Sequence, residues 1–276
     1  MTRKNNIKKI ENMNKNIILM AIIIAVCASF VSCIRITNSS ERKRGCGNVI
    51  TSERAISAFN EINIRNSATV RFHKSEEFRV VVSVDENLYE YVEIDTRGST
   101  LNIRTRSNPS DTRTNRNNRI NININGGNQD GFSFTQFTVD VYAPTLRGVT
   151  VSGTGHFVNV DKLIVPSFEA NMSGAGTIKG KIKSDNFSSR ISGAGGITVS
   201  GSSQNADFRI SGVGGFRGSD FIVNNATARV SGVGNMEIYV TDYLNANVSG
   251  VGSIHYRGNP RVESRVSGVG SVRRVN

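Results

Sequence analysis

The chain contains 276 residues with a formal net charge of +12, and only 37% of its residues are hydrophobic. It has no Trp, 4 Pro and 27 Gly, so bulky side chains are too few for a helical bundle with a thick core. Three His and three Cys leave little material for a His/Cys metalloenzyme or a disulfide-stapled domain. The composition favours a thin core in which each layer of chain covers the next.

Residues 1–32 have the pattern of an export signal. A basic start precedes the apolar run Ile17–Val31, whose 15 residues are too few for a comfortable membrane span of about 20. Ser32-Cys33, directly after this run, resembles the end of a bacterial lipoprotein signal peptide, which implies that Cys33 becomes the lipidated first residue of the mature chain. We therefore expect a lipid-anchored protein of the cell envelope, at the outer membrane. An ordinary cleaved secretory signal is the alternative.

Residues 33–55 are basic and contain several Ser and Asn residues, which predicts a flexible tether near anionic lipid headgroups. Cys46 would be the one thiol left after signal removal and lipidation, so we predict no internal disulfide. Pairing of this thiol with another molecule stays open. Export disfavours nucleic acid as a partner, and no basic motif interleaved with aromatic residues supports one.

Residues 56–105 show strand alternation without a tight motif, which predicts irregular first layers of a solenoid. Asn66–Thr69 stands where a degraded copy of the later repeat would fall. Asp85–Val92 is expected to form one short helix with Asp85 as its N-cap.

Residues 106–131, within the predicted domain 56–276, are rich in Asn, Arg, Ser and Gly and predict a long polar loop. We expect this loop to be disordered, with a contact loop for a partner as the alternative. The alternation at Arg119–Asn125 predicts a short strand, and the strand pattern resumes at Phe134–Val141.

The tetrapeptide Ser-Gly-x-Gly, which we call the quartet, occurs seven times within residues 146–276. Its copies start at intervals of 18 to 21 residues, so the repeat is not a chance recurrence. The quartet residues are Ser152, Gly153, Gly155; Ser173, Gly174, Gly176; Ser192, Gly193, Gly195; Ser211, Gly212, Gly214; Ser231, Gly232, Gly234; Ser249, Gly250, Gly252; and Ser267, Gly268, Gly270.

Apolar residues alternate with polar ones on both sides of each quartet, the pattern of strands with one buried face. One strand–bend–strand unit cannot bury its own apolar face, but stacked copies can. We predict an all-β fold, a right-handed parallel β-helix with about seven regular layers and an irregular N-terminal part. The glycines are expected to permit the backbone angles of the bend. The Leu and Asn consensus of a leucine-rich repeat is missing from this sequence. A propeller stays an alternative in which each blade consists of two units.

Stacking would place equivalent residues of all layers in columns. The quartet serines are expected to form a hydroxyl ladder that satisfies backbone groups, and no helix follows any Gly-x-Gly to make a phosphate loop. A basic column, the Arg stripe, would either bind an acidic glycan or anionic lipid, or be a solvated face that blocks edge pairing. We expect Asp207 and Glu263 to relieve the charges of their strand neighbours. The stripe comprises Arg190, Arg209, Arg229 and Arg265.

Several segments together resemble one known family. They are Gly47–Ile50, Phe59–Ile62, Val80–Leu88 and Thr100–Ile103, followed by the quartets. The combination resembles the auto-transporter adhesin, head GIN domain family, common in Bacteroidetes, over residues 47–275. This resemblance implies an exported β-helical domain with an adhesive role, and it offers no established catalytic residues to carry over. We predict no cofactor.

The short intervals between quartets leave no room for the long loops from which β-helical lyases and glycosidases build a catalytic groove. Acidic residues also stand at different offsets in the repeat, whereas glycosidases need two facing carboxylates. We therefore predict a non-enzymatic, adhesin-like binding module for a glycan or a surface protein. The alternatives are a β-helical carbohydrate-active enzyme and an envelope protein that self-associates through its apolar last layer, Val266–Val275.

Overall fold

The structure, a computed structural model, describes residues 43–106 and 131–276. Strands account for 70% of the structure and helix for 3%, which confirms the predicted all-β class. Cys33 and the signal sequence lie outside the described residues, as do the strand predicted at Arg119–Asn125 and nearly all of the polar loop 106–131. Within the described ranges, no helix is both long enough and apolar enough to span a bilayer.

The described residues form strands and one 3-10 helix, Glu86–Tyr91. β1 and β8 make a two-stranded sheet, and the other strands make a 17-stranded sheet. In chain order the strands are β1 (Lys43–Arg44), β2 (Val49–Ala55), β3 (Glu61–Ile64), β4 (Thr69–Lys74), β5 (Arg79–Asp85), β6 (Val92–Arg97), β7 (Thr100–Thr105), β8 (Phe132–Ser133), β9 (Phe137–Ala143), β10 (Gly148–Val151), β11 (His156–Asn159), β12 (Leu163–Met172), β13 (Thr177–Ile191), β14 (Gly196–Ile210), β15 (Val213–Val230), β16 (Val233–Val248), β17 (Val251–Arg257), β18 (Arg261–Val266) and β19 (Val269–Arg274).

Each regular layer consists of a segment before a quartet and a segment after it, which we call the front and back segments. Successive layers pair in parallel, so that Ile191 is the partner of Ile210, and the register shifts only locally, as between Thr198 and Ser200. From Ser173 onwards, the N–H of each quartet Ser donates to a carbonyl of the layer before it, so the quartets stand in one file. The two segments of a layer face each other across the core, where the ring centroids of Phe208 and Phe216 are 4.6 Å apart. The predicted β-helix is confirmed.

The quartet glycines are required by the close approach of successive layers. A Cβ on Gly174 would lie 1.8 Å from the carbonyl oxygen of Gly153, and a Cβ on Gly214 would lie 2.1 Å from that of Gly195. These distances are far inside van der Waals contact. Among the quartet glycines only Gly252 has a positive φ, 154°. Close backbone approach, rather than the bend angles expected from the sequence, therefore explains why glycine recurs.

The N-terminal half adds irregular layers to the same stack. β3 and β4 pair in parallel with β10 and β11, and Ser152 N donates to Ile64 O at 2.9 Å, as the later quartets do to their own preceding layers. Asn66–Thr69 therefore occupies the bend predicted for a degraded quartet. β7 and β9 continue the stack in parallel, and the antiparallel strands β6, β5 and β2 follow at this end.

The flexible tether predicted for residues 33–55 is wrong over its described part. β2 pairs antiparallel with β5 along its whole length, and β1 pairs with β8. Between these strands the buried carboxylate of Asp85 accepts hydrogen bonds from Gly47 N (3.0 Å) and Thr135 N (2.8 Å). A Cβ on Gly45 would lie 2.1 Å from Asp85 Oδ2, so the loop needs glycine there. One distant carboxylate thus fixes a segment whose composition is typical of a linker.

The helix predicted over residues 85–92 is present as the 3-10 helix Glu86–Tyr91. Asp85 holds the N-cap position but makes no capping hydrogen bond, because its carboxylate is turned to the loops at Gly47 and Thr135. Cys46 is an exposed free thiol whose own N–H donates to the side chain of Asn87 (3.0 Å).

Candidate functional site

The outer face of the front segments presents columns of polar side chains. Successive side chains of a strand point to opposite faces, so alternate residues of each front segment point away from the core. In β13 the outward residues are Asn186, Ser188 and Arg190, and the residues between them are the buried Phe187 and Ser189. In-register pairing continues each position through the neighbouring layers. The surface chemistry therefore repeats once per layer, at about 4.8 Å.

A groove of about 450 Å³, which we call the front groove, runs across the layers on this face. Its lining extends from β12 to β16, a length of roughly 19 Å at the usual strand spacing. Phe168, Phe187, Ala206 and Ala226 also line it, although their side chains are buried between the outward residues and point to the core. Its polar lining residues are Ser167, Glu169, Asn186, Ser188, Asn205, Asp207, Asn225, Thr227 and Tyr243.

Three exposed asparagines form a ladder along the front groove. Asn205 Nδ2 donates to Asn186 Oδ1 at 3.3 Å, and Asn225 Nδ2 donates to Asn205 Oδ1 at 3.4 Å. A carboxamide has two donor hydrogens and two acceptor lone pairs, so each amide keeps unused capacity that faces solvent. All three stand six residues before a quartet Ser. Sequence analysis missed this column, although the constant offset was visible in the spacing.

The Arg stripe lies beside the front groove as one exposed column, because Arg190, Arg209 and Arg229 are partners in successive layers. Asp207 forms ion pairs with two arginines of the stripe, at 2.7 Å from Arg209 and 3.6 Å from Arg229. Its hydrogen bond with Arg209 raises the pKa of that arginine. Within the described ranges, no ion pair involves Arg190 or Arg265.

The expectation that Glu263 relieves Arg265 is wrong. Glu263 instead pairs with Arg261 at 3.2 Å and accepts a hydrogen bond from Tyr243 Oη at 2.9 Å. Arg261 and Arg265 both stand two residues from Glu263 on the same strand face, so the sequence does not say which of them pairs with it.

A buried acid on the outer face of the N-terminal layers is also neutralised. Arg71 donates two hydrogen bonds to Asp140, at 2.7 and 2.6 Å, and His73 Nε2 lies 2.8 Å from Asp140 Oδ1. Burial alone would raise the pKa of Asp140, but these hydrogen bonds and charges lower it below its ordinary value. The ring of His73 also stacks on Tyr142, with centroids 4.8 Å apart. A carboxylate held in this way by Arg71 and His73 braces β4 against β9, and its lowered pKa makes it a poor general base.

The hydroxyls of three quartet serines face backbone carbonyls of the layer before them. Ser152 Oγ lies 3.3 Å from the carbonyl oxygen of Ile64, and the hydroxyls of Ser211 and Ser231 lie 3.5 Å from carbonyl oxygens of their preceding layers. These hydroxyls supplement backbone bonding, as expected of a structural ladder. In the described part of the chain, no group of three or more His, Cys, Asp or Glu residues is placed to hold a metal ion.

The fold defines a β-solenoid protein, and its outer face displays repeated polar columns and a groove across the layers. The family model described as "Putative auto-transporter adhesin, head GIN domain" matches residues 58–260, and the chain belongs to this family. It is therefore an adhesin-like binding protein of the cell envelope or surface.

Solved structures share this fold. An adhesin-type protein from Bacteroides fragilis NCTC 9343 has 19% identity and a TM-score of 0.72, covering 84% of this chain and 99% of its own. One from Parabacteroides merdae ATCC 43184 has 22% identity and a TM-score of 0.64, covering 86% and 100%. A Parabacteroides distasonis ATCC 8503 protein, described as lipid binding, has 26% identity and a TM-score of 0.63, covering 84% and 99%. No functionally curated protein matches the chain.

Proposed function

We propose that this protein is a lipid-anchored, non-enzymatic binding module of the cell envelope, and that its front groove binds an extended neutral glycan. Cys33 carries the lipid, and the solenoid presents the groove to the ligand. The observation that supports the glycan is the ladder of Asn186, Asn205 and Asn225, whose unused donors and acceptors repeat once per layer.

The chemistry of the lining matches a chain of sugars. Sugar hydroxyls both donate and accept hydrogen bonds, which suits a lining of amides, hydroxyls and carboxylates. A groove of roughly 19 Å accommodates several sugar units in a row. Glu169 and Asp207 make the groove itself unfavourable for an anionic ligand, and Asp207 occupies the guanidinium groups of Arg209 and Arg229. A neutral glycan therefore fits better than the acidic glycan considered for the Arg stripe.

The polar walls argue against a lipid in the front groove. The relative from Parabacteroides distasonis is described as a lipid-binding protein. An acyl chain needs a pocket lined mainly by apolar side chains. Here the apolar lining residues are buried toward the core, and each layer turns polar side chains outward, so we do not extend that relative's ligand to this chain.

The two carboxylates of the front groove do not suit glycoside hydrolysis. Glu169 and Asp207 occupy the same column, two layers apart, because Ser188 pairs with both of their strands. They are therefore roughly 10 Å apart on one wall of the groove. A glycosidase places its two carboxyl groups on either side of the scissile bond. Binding without cleavage is the reading that this arrangement supports, and unchanged chain length of a bound oligosaccharide after incubation checks it.

Asn225→Ala is expected to weaken binding of the best-bound neutral oligosaccharide on a glycan array by about tenfold, the equivalent of one or two lost hydrogen bonds. Asn224→Ala is the matched control, since Asn224 is exposed and adjacent but bonds to Asp242 outside the groove. Calorimetric titration of both variants with that oligosaccharide measures the difference. An array with no neutral glycan bound, or equal losses in the two variants, would contradict the glycan proposal.

Cys33→Ser is expected to move the protein from the membrane fraction to the soluble fraction of the envelope, because the acyl anchor is lost. Cys46→Ser is the matched control: it makes the same thiol-to-hydroxyl change but leaves the anchor intact, so this variant should remain in the membrane fraction. Fractionation followed by immunoblotting distinguishes the two. A wild-type protein found in the soluble fraction would indicate an ordinary secretory signal and would remove the anchor from the proposal without affecting the groove.

A further inference from the structure

The last layer of the solenoid has an uncovered edge. Within the described part of the chain, β18 pairs only with β16 and β19 only with β17. Ser264 belongs to a column in which Ala228 and Ala246 of the preceding layers are buried, yet Ser264 is exposed. Val266 and Val269 are 44% and 75% exposed. An edge that combines unpaired backbone groups with an open core is a template for another strand.

The direction of the free backbone groups of β18 follows from its pairing with β16. Ser267 N donates to Val248 O at 2.9 Å, so the backbone groups of Ser267 point to the covered side. Backbone groups alternate in direction along a strand, so those of Glu263 and Arg265 point the same way. The residues whose N–H and C=O point to the open side are Val262, Ser264 and Val266.

We propose that a second copy of this chain pairs antiparallel with β18, with a two-fold axis at Ser264. In this register Glu263 lies opposite the partner's Arg265 on the outer face, and symmetry repeats this pair. Val262 lies opposite the partner's Val266 on the core side. Directly opposed residues of antiparallel strands share a face, and opposite charges there are stabilising.

The charges of β18 favour this register over its neighbours. A shift that centres the axis on Glu263 places Glu263 opposite its own copy and Arg261 opposite the partner's Arg265. A shift that centres it on Arg265 places Arg265 opposite its own copy. Both put like charges directly opposite each other, which is destabilising. Arg265 has no ion pair among the described residues, so its guanidinium is available for the contact.

The other end of the stack does not offer a matching edge for head-to-tail growth. It carries the antiparallel strands β2 and β6, and β6 bears Glu93 and Asp95, which are ion-paired with Arg104. An isologous contact between two C-terminal ends closes on itself and yields a dimer rather than a fibre. The inference is independent of what the front groove binds, but a dimer would present two grooves and gain avidity.

Sedimentation velocity of the full chain with Cys33→Ser, from micromolar to millimolar concentration, tests the dimer. We expect reversible dimerisation, a weakening of at least tenfold in Arg265→Glu and in Glu263→Arg, and recovery in the double variant that exchanges the two charges. Arg190→Glu is the matched control, because it reverses an unpaired Arg of the same column in an inner layer and should dimerise normally. A monomer at every concentration, no recovery in the double variant, or an equal loss in Arg190→Glu would overturn the proposal.

A covalent trap tests the register itself and does not depend on charge. Ser264→Cys in a chain that also carries Cys33→Ser and Cys46→Ser places each thiol opposite its own copy, at a Cα distance of about 5.5 Å that suits a disulfide. We expect a disulfide-linked dimer on mild oxidation. Ser188→Cys, on an inner layer, should stay monomeric on a non-reducing gel. The absence of a Ser264→Cys dimer, or equal dimer formation by the Ser188→Cys control, contradicts the axis at Ser264.

Discussion

Gly214→Ala is expected to lower the free energy of unfolding by about 3 kcal/mol, the upper end of the usual cost of overpacking, because the added carbon meets backbone atoms. The new Cβ would lie 2.1 Å from the carbonyl oxygen of Gly195 and 3.2 Å from a methyl carbon of Ile191. The carbonyl cannot move aside without breaking the pairing of two layers. For a chain of this size, the midpoint of thermal unfolding should fall by roughly 6 to 12 °C.

Gly215→Ala is the matched control for this prediction, since it makes the same chemical change one residue further along the chain. The nearest atom to its new Cβ is Asn235 O at 3.6 Å, an ordinary contact. We expect a change within about 0.5 kcal/mol. Thermal unfolding followed by circular dichroism compares the two variants. Equal stability of Gly214→Ala and Gly215→Ala would show that the layers are not stacked as closely as described.

Asp85→Asn is expected to destabilise the fold by about 2 kcal/mol, the second large effect on stability. The carboxylate accepts hydrogen bonds from Gly47 N, Thr135 N and the Thr135 hydroxyl. A carboxamide turns one acceptor oxygen into a donor that faces another donor, inside a site where water cannot replace it. Glu86→Gln is the matched control, because Glu86 is adjacent and exposed, and its carboxylate accepts a hydrogen bond from Asn48 Nδ2 at the surface.

The effect of Asp85→Asn should depend on pH. Burial alone would raise the pKa of Asp85, but hydrogen bonds from Thr135, Gly47 and Gln136 lower it below its ordinary value. The ionised carboxylate therefore contributes its full stability above the unfolded pKa of about 3.9, and this contribution is lost as the pH falls through the lower folded pKa. Urea unfolding at pH 7 and pH 3 measures the difference between wild type and variant. A difference that grows on acidification would contradict this account.

The regular layers were predictable because the information is local and repeated. Each quartet carries its flanking alternation with it, and even the degraded copy Asn66–Thr69 was placed correctly by its spacing. The reason for the glycines was not predictable from a single unit. It lies in the distance between layers, which appears only when Gly195 and Gly214 stand one above the other.

The remaining features depend on pairs that are distant in sequence. Asp85 reaches Gly47 and Thr135, residues 38 and 50 positions away, so the composition of residues 33–55 alone suggested a linker. Asp140 and Arg71 are separated by 69 positions and showed no shared pattern. The front groove was predictable in part. Its asparagines have a constant offset in the repeat, but only the stacking of layers brings them together as a ladder.

Distances between spin labels on the x residues of the quartets test the stacking of layers most directly. Val213, Val233 and Val251 are 60%, 50% and 51% exposed, so labels there should not disturb the core. Two of these valines at a time are replaced by Cys and spin-labelled, in a chain whose native Cys residues are changed to Ser. The account predicts separations that grow by roughly 4.8 Å per layer, from Val213–Val233 to Val213–Val251. Separations that do not increase stepwise with repeat number would contradict a single stacked solenoid.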